Sequence, residues 1–147
     1  MSISDSLYFQ FLNQRNMEYT LSHIYGLKAE DEEDPIIRFI YQKLRDDSSR
    51  HLALIENALK TLGKSLPEPI MVRIAELDPS TMKREEINID KVDTALEEME
   101  AAAATLFALF AEDFPNPRLS RFFWAMRDDE KLHLRLLKEV RAYKRRG

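Results

Sequence analysis

The sequence predicts an all-α fold: two helical hairpins, one a duplicate of the other, packed as a four-helix bundle and joined by a long crossover. Three observations predict it. The octet Arg127-Asp128-Asp129-Glu130-Lys131-Leu132-His133-Leu134 occurs earlier as Arg45-Asp46-Asp47-Ser48-Ser49-Arg50-His51-Leu52, offset by 82, with five of eight positions identical. The offset holds without a gap from residue 17 to 55: Met17-Glu18 falls on Met99-Glu100, Ala29-Glu30-Asp31 on Ala111-Glu112-Asp113, and Asp34-Pro35 on Asn116-Pro117. An internal repeat of this length signals a duplicated structural unit. Four long segments also carry apolar residues at helical spacing, and no alternating strand pattern competes with them.

The first hairpin is expected over 4–62, the crossover over 63–89 and the second hairpin over 90–146, all in a single domain, 1–147. Helix 1 runs from about Ser4 to Glu30. Ser4 or Ser6 caps it, and Leu7, Phe11, Leu21 and Tyr25 form its apolar stripe, which Glu18 interrupts. Helix 2 starts with Asp34 as cap and Pro35 at the first helical position, and ends where Gly63 supplies a stop. Its inner face reads Ile37, Ile40, Leu44, Ser48, His51, Ile55, Leu59. Leu66-Pro67-Glu68-Pro69 breaks helix, with a short turn expected between Met71 and Leu77; a connection this long suits a crossover rather than a tight turn. Helix 3, from about Asp90 to Asp113, carries Val92, Leu96, Ala103, Phe107 and Phe110, interrupted by Glu100. After Phe114-Pro115-Asn116-Pro117, with Asn116 as cap, helix 4 presents Leu119, Phe122, Phe123, Met126, Glu130, His133, Leu137 and Val140. Two short turns and one long crossover are the connectivity of a bundle built from two hairpins.

Composition narrows the function. A net charge of −4 gives no electrostatic footprint for nucleic acid or an anionic membrane. The basic Lys144-Arg145-Arg146 suits a helix C-terminus. With no cysteine, disulfides, thiolate metal sites and thiol catalysis are excluded. No signal-peptide pattern opens the chain and no apolar run approaches a membrane span, so a cytoplasmic location is expected.

Glu18, His51, Glu100, Glu130 and His133 each interrupt an apolar stripe near mid-helix, at one level when the repeats are superposed. A carboxylate there must be neutralised by a proton, a cation or a metal. The stripes offer no Lys or Arg at matching positions except Arg15, one turn before Glu18. Glu130 and His133, three apart on one helix, can share an ion. Carboxylate oxygen with imidazole nitrogen suits iron, manganese or zinc. By contrast His23, off the repeat pattern, reads as a core histidine. Met99, Met126, Phe122, Phe123 and Trp124 read as packing, and Ala101 to Ala104 as a close helix approach.

A Glu on each of two helices with Glu-x-x-His on each of the other two resembles the ligand set of the ferritin-like di-iron carboxylate proteins. Over nearly its whole length the chain looks most like the helical domain of rubrerythrin. Glu97-x-x-Glu100 resembles the extra ligand carboxylate on rubrerythrin's third helix. Asp129-Glu130-Lys131-Leu132-His133 resembles the Asp-Glu-x-Arg-His motif of di-iron oxygenases, with Leu132 in place of Arg. The resemblance implies a ferritin-like bundle holding iron, two ions if the site is intact, through Glu18, His51, Glu97, Glu100, Glu130 and His133. Asp47 and Asp129 would orient the ligand histidines. It implies reduction of peroxide or oxygen, or oxidation of ferrous iron, with electrons from an external donor because no cysteine provides a rubredoxin-type domain.

Two positions depart from that pattern. Ser48 stands where the family has a bridging Glu, and Arg15 stands at the place matching Glu97. Glu97 shifting inward, Asp47 swinging in, or a water are the repairs; otherwise the site holds one metal, zinc or manganese in place of iron, or nothing. The alternative expectation is a degenerate bundle in which Arg15 pairs with Glu18 and the function is partner binding. Iron storage in a cage ranks below both, since the fifth helix common in cage-forming ferritins is missing. Aromatic residues in excess of what four inner stripes hold favour a homodimer.

Overall fold

The computed structural model describes residues 4–73, 89–114 and 116–146. All regular structure among them is helical: α1 (Asp5–Asp31), α2 (Pro35–Thr61), α3 (Ile89–Asp113) and α4 (Pro117–Arg146). The chain divides into two compact units, Met1–Ile87 and Asn88–Gly147, each holding one helix pair. No helix among the described residues is long and apolar enough to cross a membrane.

In the first unit local chemistry sets the helix ends. Ser4 Oγ accepts from the Leu7 amide at 3.2 Å, and Asp34 Oδ1 accepts from the Ile36 and Ile37 amides at 2.9 and 3.3 Å. Each satisfies donors that a first helical turn leaves orphaned. Arg38 donates back to the Glu32 and Glu33 carbonyls, closing the turn between α1 and α2. At the far end of α2, Gly63 takes a φ of 72°, its amide donates to the Lys60 carbonyl and that of Lys64 to the Leu59 carbonyl, each at 3.0 Å. This is the double closure that a left-handed residue after a helix permits. The helices run antiparallel, since Ser22 meets Ser49, Glu18 faces His51 and Arg15 faces Glu56.

Beyond Gly63 the chain turns back along α1. Tyr8 Oη donates to the Ser65 carbonyl at 2.7 Å, Asn16 Oδ1 accepts from the Ile70 amide at 3.4 Å, and Thr20 Oγ1 accepts from the Val72 amide at 2.9 Å. Residues 64–73 therefore form an extended strap running in the direction of α1. Met71 to Arg73 are not helical; the rest of the short turn expected to Leu77 lies outside the described residues.

The second unit repeats the antiparallel pairing: Ala111 accepts from Ser120 Oγ at 2.6 Å, Glu100 faces His133, and Glu97 faces Arg141. Asn116 Oδ1 caps α4 through the Arg118 amide at 2.9 Å. Near that turn Phe123 packs against Phe107, Phe110 and Phe114 with ring centroids 5.5–6.5 Å apart. Burying each such side chain contributes about 1.5–3 kcal/mol.

Three sequence expectations need correction. Ile40 is half-buried and Tyr41 is buried instead; Phe122 is 53% exposed and Phe123 is buried instead. The reason is one of phase. The inner residues of α2 step alternately by four and three (Ile37, Tyr41, Leu44, Ser48, His51, Ile55), and those of α4 do likewise (Phe123, Met126, Glu130, His133, Leu137, Val140). Ile40 and Phe122 each fall one residue off that step. His23 is also off it and lies exposed on α1 rather than in the core. Of the alanine run, Ala103 and Ala104 are buried, while Ala101 and Ala102 are exposed.

Candidate metal centre

In the second unit three sequence-predicted residues converge. His133 Nδ1 lies 3.0 Å from Glu100 Oε2, within hydrogen-bond reach of an acceptor carboxylate, and 3.8 Å from Glu130 Oε2. All three side chains are fully buried. Two carboxylate oxygens and an imidazole nitrogen thus lie within 4.8 Å of one another. Ligands of a tetrahedral or octahedral transition ion lie about 2.0–2.2 Å from it, so donors across the ion are at most about 4.4 Å apart. Closing this set around a cation requires shifts of tenths of an ångström. The donor chemistry fits iron, manganese or zinc.

The first unit presents a thinner version at the matching positions. Glu18 Oε1 is 3.7 Å from His51 Nδ1, both fully buried. Gln14 Nε2 donates to that same oxygen at 3.1 Å. Ser48, where the second unit has Glu130, is fully buried, and its Oγ meets no hydrogen-bond partner among the described residues.

The remaining predicted residues are held elsewhere. Glu97 Oε2 is 2.7 Å from Arg141 Nη1, and Glu97 is not among the groups gathered within ligand distance. Its expected role as an additional ligand is not the one its pairing serves. Asp47 is buried, with Lys43 Nζ donating to it at 3.0 Å and Arg50 at 3.5 Å, so its carboxylate balances cations of its own helix. Asp129 is half-buried on α4. Arg15 is 1% exposed, but its ion pair is with Glu56 at 3.6 Å instead of the expected Glu18, and its Nε donates to Asn16 Oδ1 at 3.0 Å.

Sequence reasoning passed over Gln14, Glu56, Lys28 and Arg141. Gln14 was within reach, standing one turn before Glu18 on the same stripe. Lys28 lies buried ten residues beyond Glu18, its Nζ over the Tyr41 ring at 5.1 Å, and so is not at the depth of the carboxylates. Glu56 and Arg141 act across a helix pair, where spacing within one helix carries no signal.

Compared with known proteins, the chain matches no family model, no curated protein and no solved structure.

Proposed function

We propose that this chain is a ferritin-like metal-binding protein whose centre supports non-haem redox chemistry on peroxide, oxygen or ferrous iron. The observation that carries the reading is the convergence of Glu100, Glu130 and His133, fully buried, within ligand distance of one another. Two like charges about one imidazole in a dry interior are costly without a cation, and a transition ion is the cation whose geometry this donor set suits. When bound, a redox-active ion would polarise an O–O bond and exchange electrons with it. The protein's own contribution is to hold the donors, supply negative charge and exclude water. Gln14 adds to this by anchoring Glu18.

Glu18 opposite His51 and Glu100 opposite His133 repeat one register at the 82-residue offset, and that repetition supports the reading. Electrons would come from a separate protein or small molecule. The test is expression with iron, metal analysis of the purified chain, and an optical spectrum recorded on adding peroxide. Iron-loaded protein with a peroxide-dependent spectral change is expected; metal-free protein with a flat response sinks the reading.

A second reading has its own observations. Ser48, without a hydrogen-bond partner among the described residues, and Arg15, paired with Glu56, favour a helical protein that has lost chemistry and works by binding a partner. On that reading Glu130→Ala leaves metal content unchanged and affects stability alone.

A further inference from the structure

We infer that the outer face at the start of α4, carrying Arg118, Arg121 and Phe122, docks the acidic and apolar turn at the start of α2 in a second copy of this chain. No metal takes part in this contact.

Arg118, Arg121, Phe122 and Ala125 line an open hollow of about 430 Å³. They stand at i, i+3, i+4 and i+7 and so share one outward face of α4. Phe122 is 53% exposed, and both arginines are exposed as well. An arginine can lay its apolar stem along such a surface while its guanidinium stays in water. From Phe114 to Arg127 the sequence holds three arginines and no acid; Glu112 and Asp113 end α3 just before it. Arginine beside an aromatic ring is the composition that protein contacts favour.

The complement lies on α2. Ile36 and Phe39, three apart in its first turns, are each 67% exposed, the highest values among the exposed large apolar side chains. Asp31, Glu32 and Glu33 precede them, with Asp31 and Glu33 exposed. Arg38 is the one cation between 29 and 42, and its Nε and Nη2 donate to the Glu32 and Glu33 carbonyls. Adjacent apolar side chains left in water with a charged rim mark a contact surface. The hollow on α4 is large enough to take side chains of the size of Phe39 and Ile36.

The internal repeat selects a second copy as the occupant. At the 82-residue offset Ile36 falls on Arg118, Phe39 on Arg121, and Glu32-Glu33 on Phe114-Pro115. The same turn of each hairpin is apolar and acidic in one and basic in the other. Two basic faces repel, and so do two acidic turns. Only the unlike pairing brings opposite charges together while covering Phe39, Ile36 and Phe122.

Sedimentation velocity of the full chain over roughly 10–500 µM protein measures the contact. Wild-type chain is expected to self-associate. Raising NaCl from about 50 to about 500 mM should weaken the association about 10-fold, because salt screens exposed charges. Arg118→Glu with Arg121→Glu, and separately Asp31→Arg with Glu33→Arg, should each weaken it by at least about 10-fold by setting like charges face to face. An equimolar mixture of the two double variants should associate as the wild type does, since one supplies an intact turn and the other an intact hollow. Circular dichroism checks their folding; if either fails to fold, Phe39→Ser and Phe122→Ser, each expected to weaken association about 10-fold, decide in its place. A wild type that stays monomeric, variants that associate unchanged, or a mixture that stays monomeric overturns the inference. Sedimentation of a monomeric wild type with phosphatidylglycerol vesicles, lost in Arg118→Glu with Arg121→Glu, gives this face to a membrane and overturns it too.

Discussion

Ser48 is a fully buried hydroxyl without a hydrogen-bond partner among the described residues. Such a group costs about 1–3 kcal/mol relative to an apolar one of similar size. Ser48→Ala is therefore expected to raise unfolding stability by about 1 kcal/mol in urea with an unchanged slope; a drop in stability would show that the hydroxyl is bonded after all. At this scale much was legible in the sequence. Glu18, His51, Glu100, Glu130 and His133 are all fully buried because each lies on the four-three step of its helix. The same step explains what was missed. In α1 it runs Phe11, Gln14, Glu18, Leu21, Tyr25, Lys28, so Gln14 and Lys28 are inside for the same geometric reason as Glu18. Glu97 lies one residue off that step. What holds it is Arg141, on another helix, and no spacing within α3 encodes that pair.

Helix ends were readable because they are decided by a few adjacent residues. Asp34, Gly63 and Asn116 do what their chemistry requires, and each can be tested alone. Asp34→Ala removes the acceptor of two amides and should cost about 1 kcal/mol. Gly63→Ala should cost about 1–2 kcal/mol. The open space around Gly63 means that backbone strain at a φ of 72° is then the whole effect, so alanine and serine should cost alike in chemical denaturation. The strap over 64–73 was not readable. Its proline-broken sequence implied only the absence of helix, whereas its path is set by Tyr8, Asn16 and Thr20, more than fifty residues away. Thr20→Val keeps the shape and removes the acceptor for the Val72 amide. The expected outcome is faster proteolysis within the strap with little change in helix content. Equal proteolysis of both proteins would mean that this bond does not hold it.

For the molecule as a whole, the interior and the ion are linked through folding. A ligand set assembled only in the folded chain makes metal binding stabilise folding, by about 2.7 kcal/mol when free metal is about 100 times its dissociation constant. In a chain of 147 residues that corresponds to a rise of roughly 5–10 °C in the thermal midpoint. Glu130 makes the argument specific, because it supplies both a donor and one of two like charges around His133. Glu130→Gln should remove most of the metal-dependent rise. The same substitution should make the chelator-treated protein more stable than the chelator-treated wild type, since a buried negative charge has gone and the volume is unchanged. Calorimetry of both proteins, with chelator and with excess Zn(II), measures the two effects in opposite directions. A packing role alone predicts that Glu130→Gln shifts both conditions equally, and a full metal response in the variant would remove Glu130 from the ligand set.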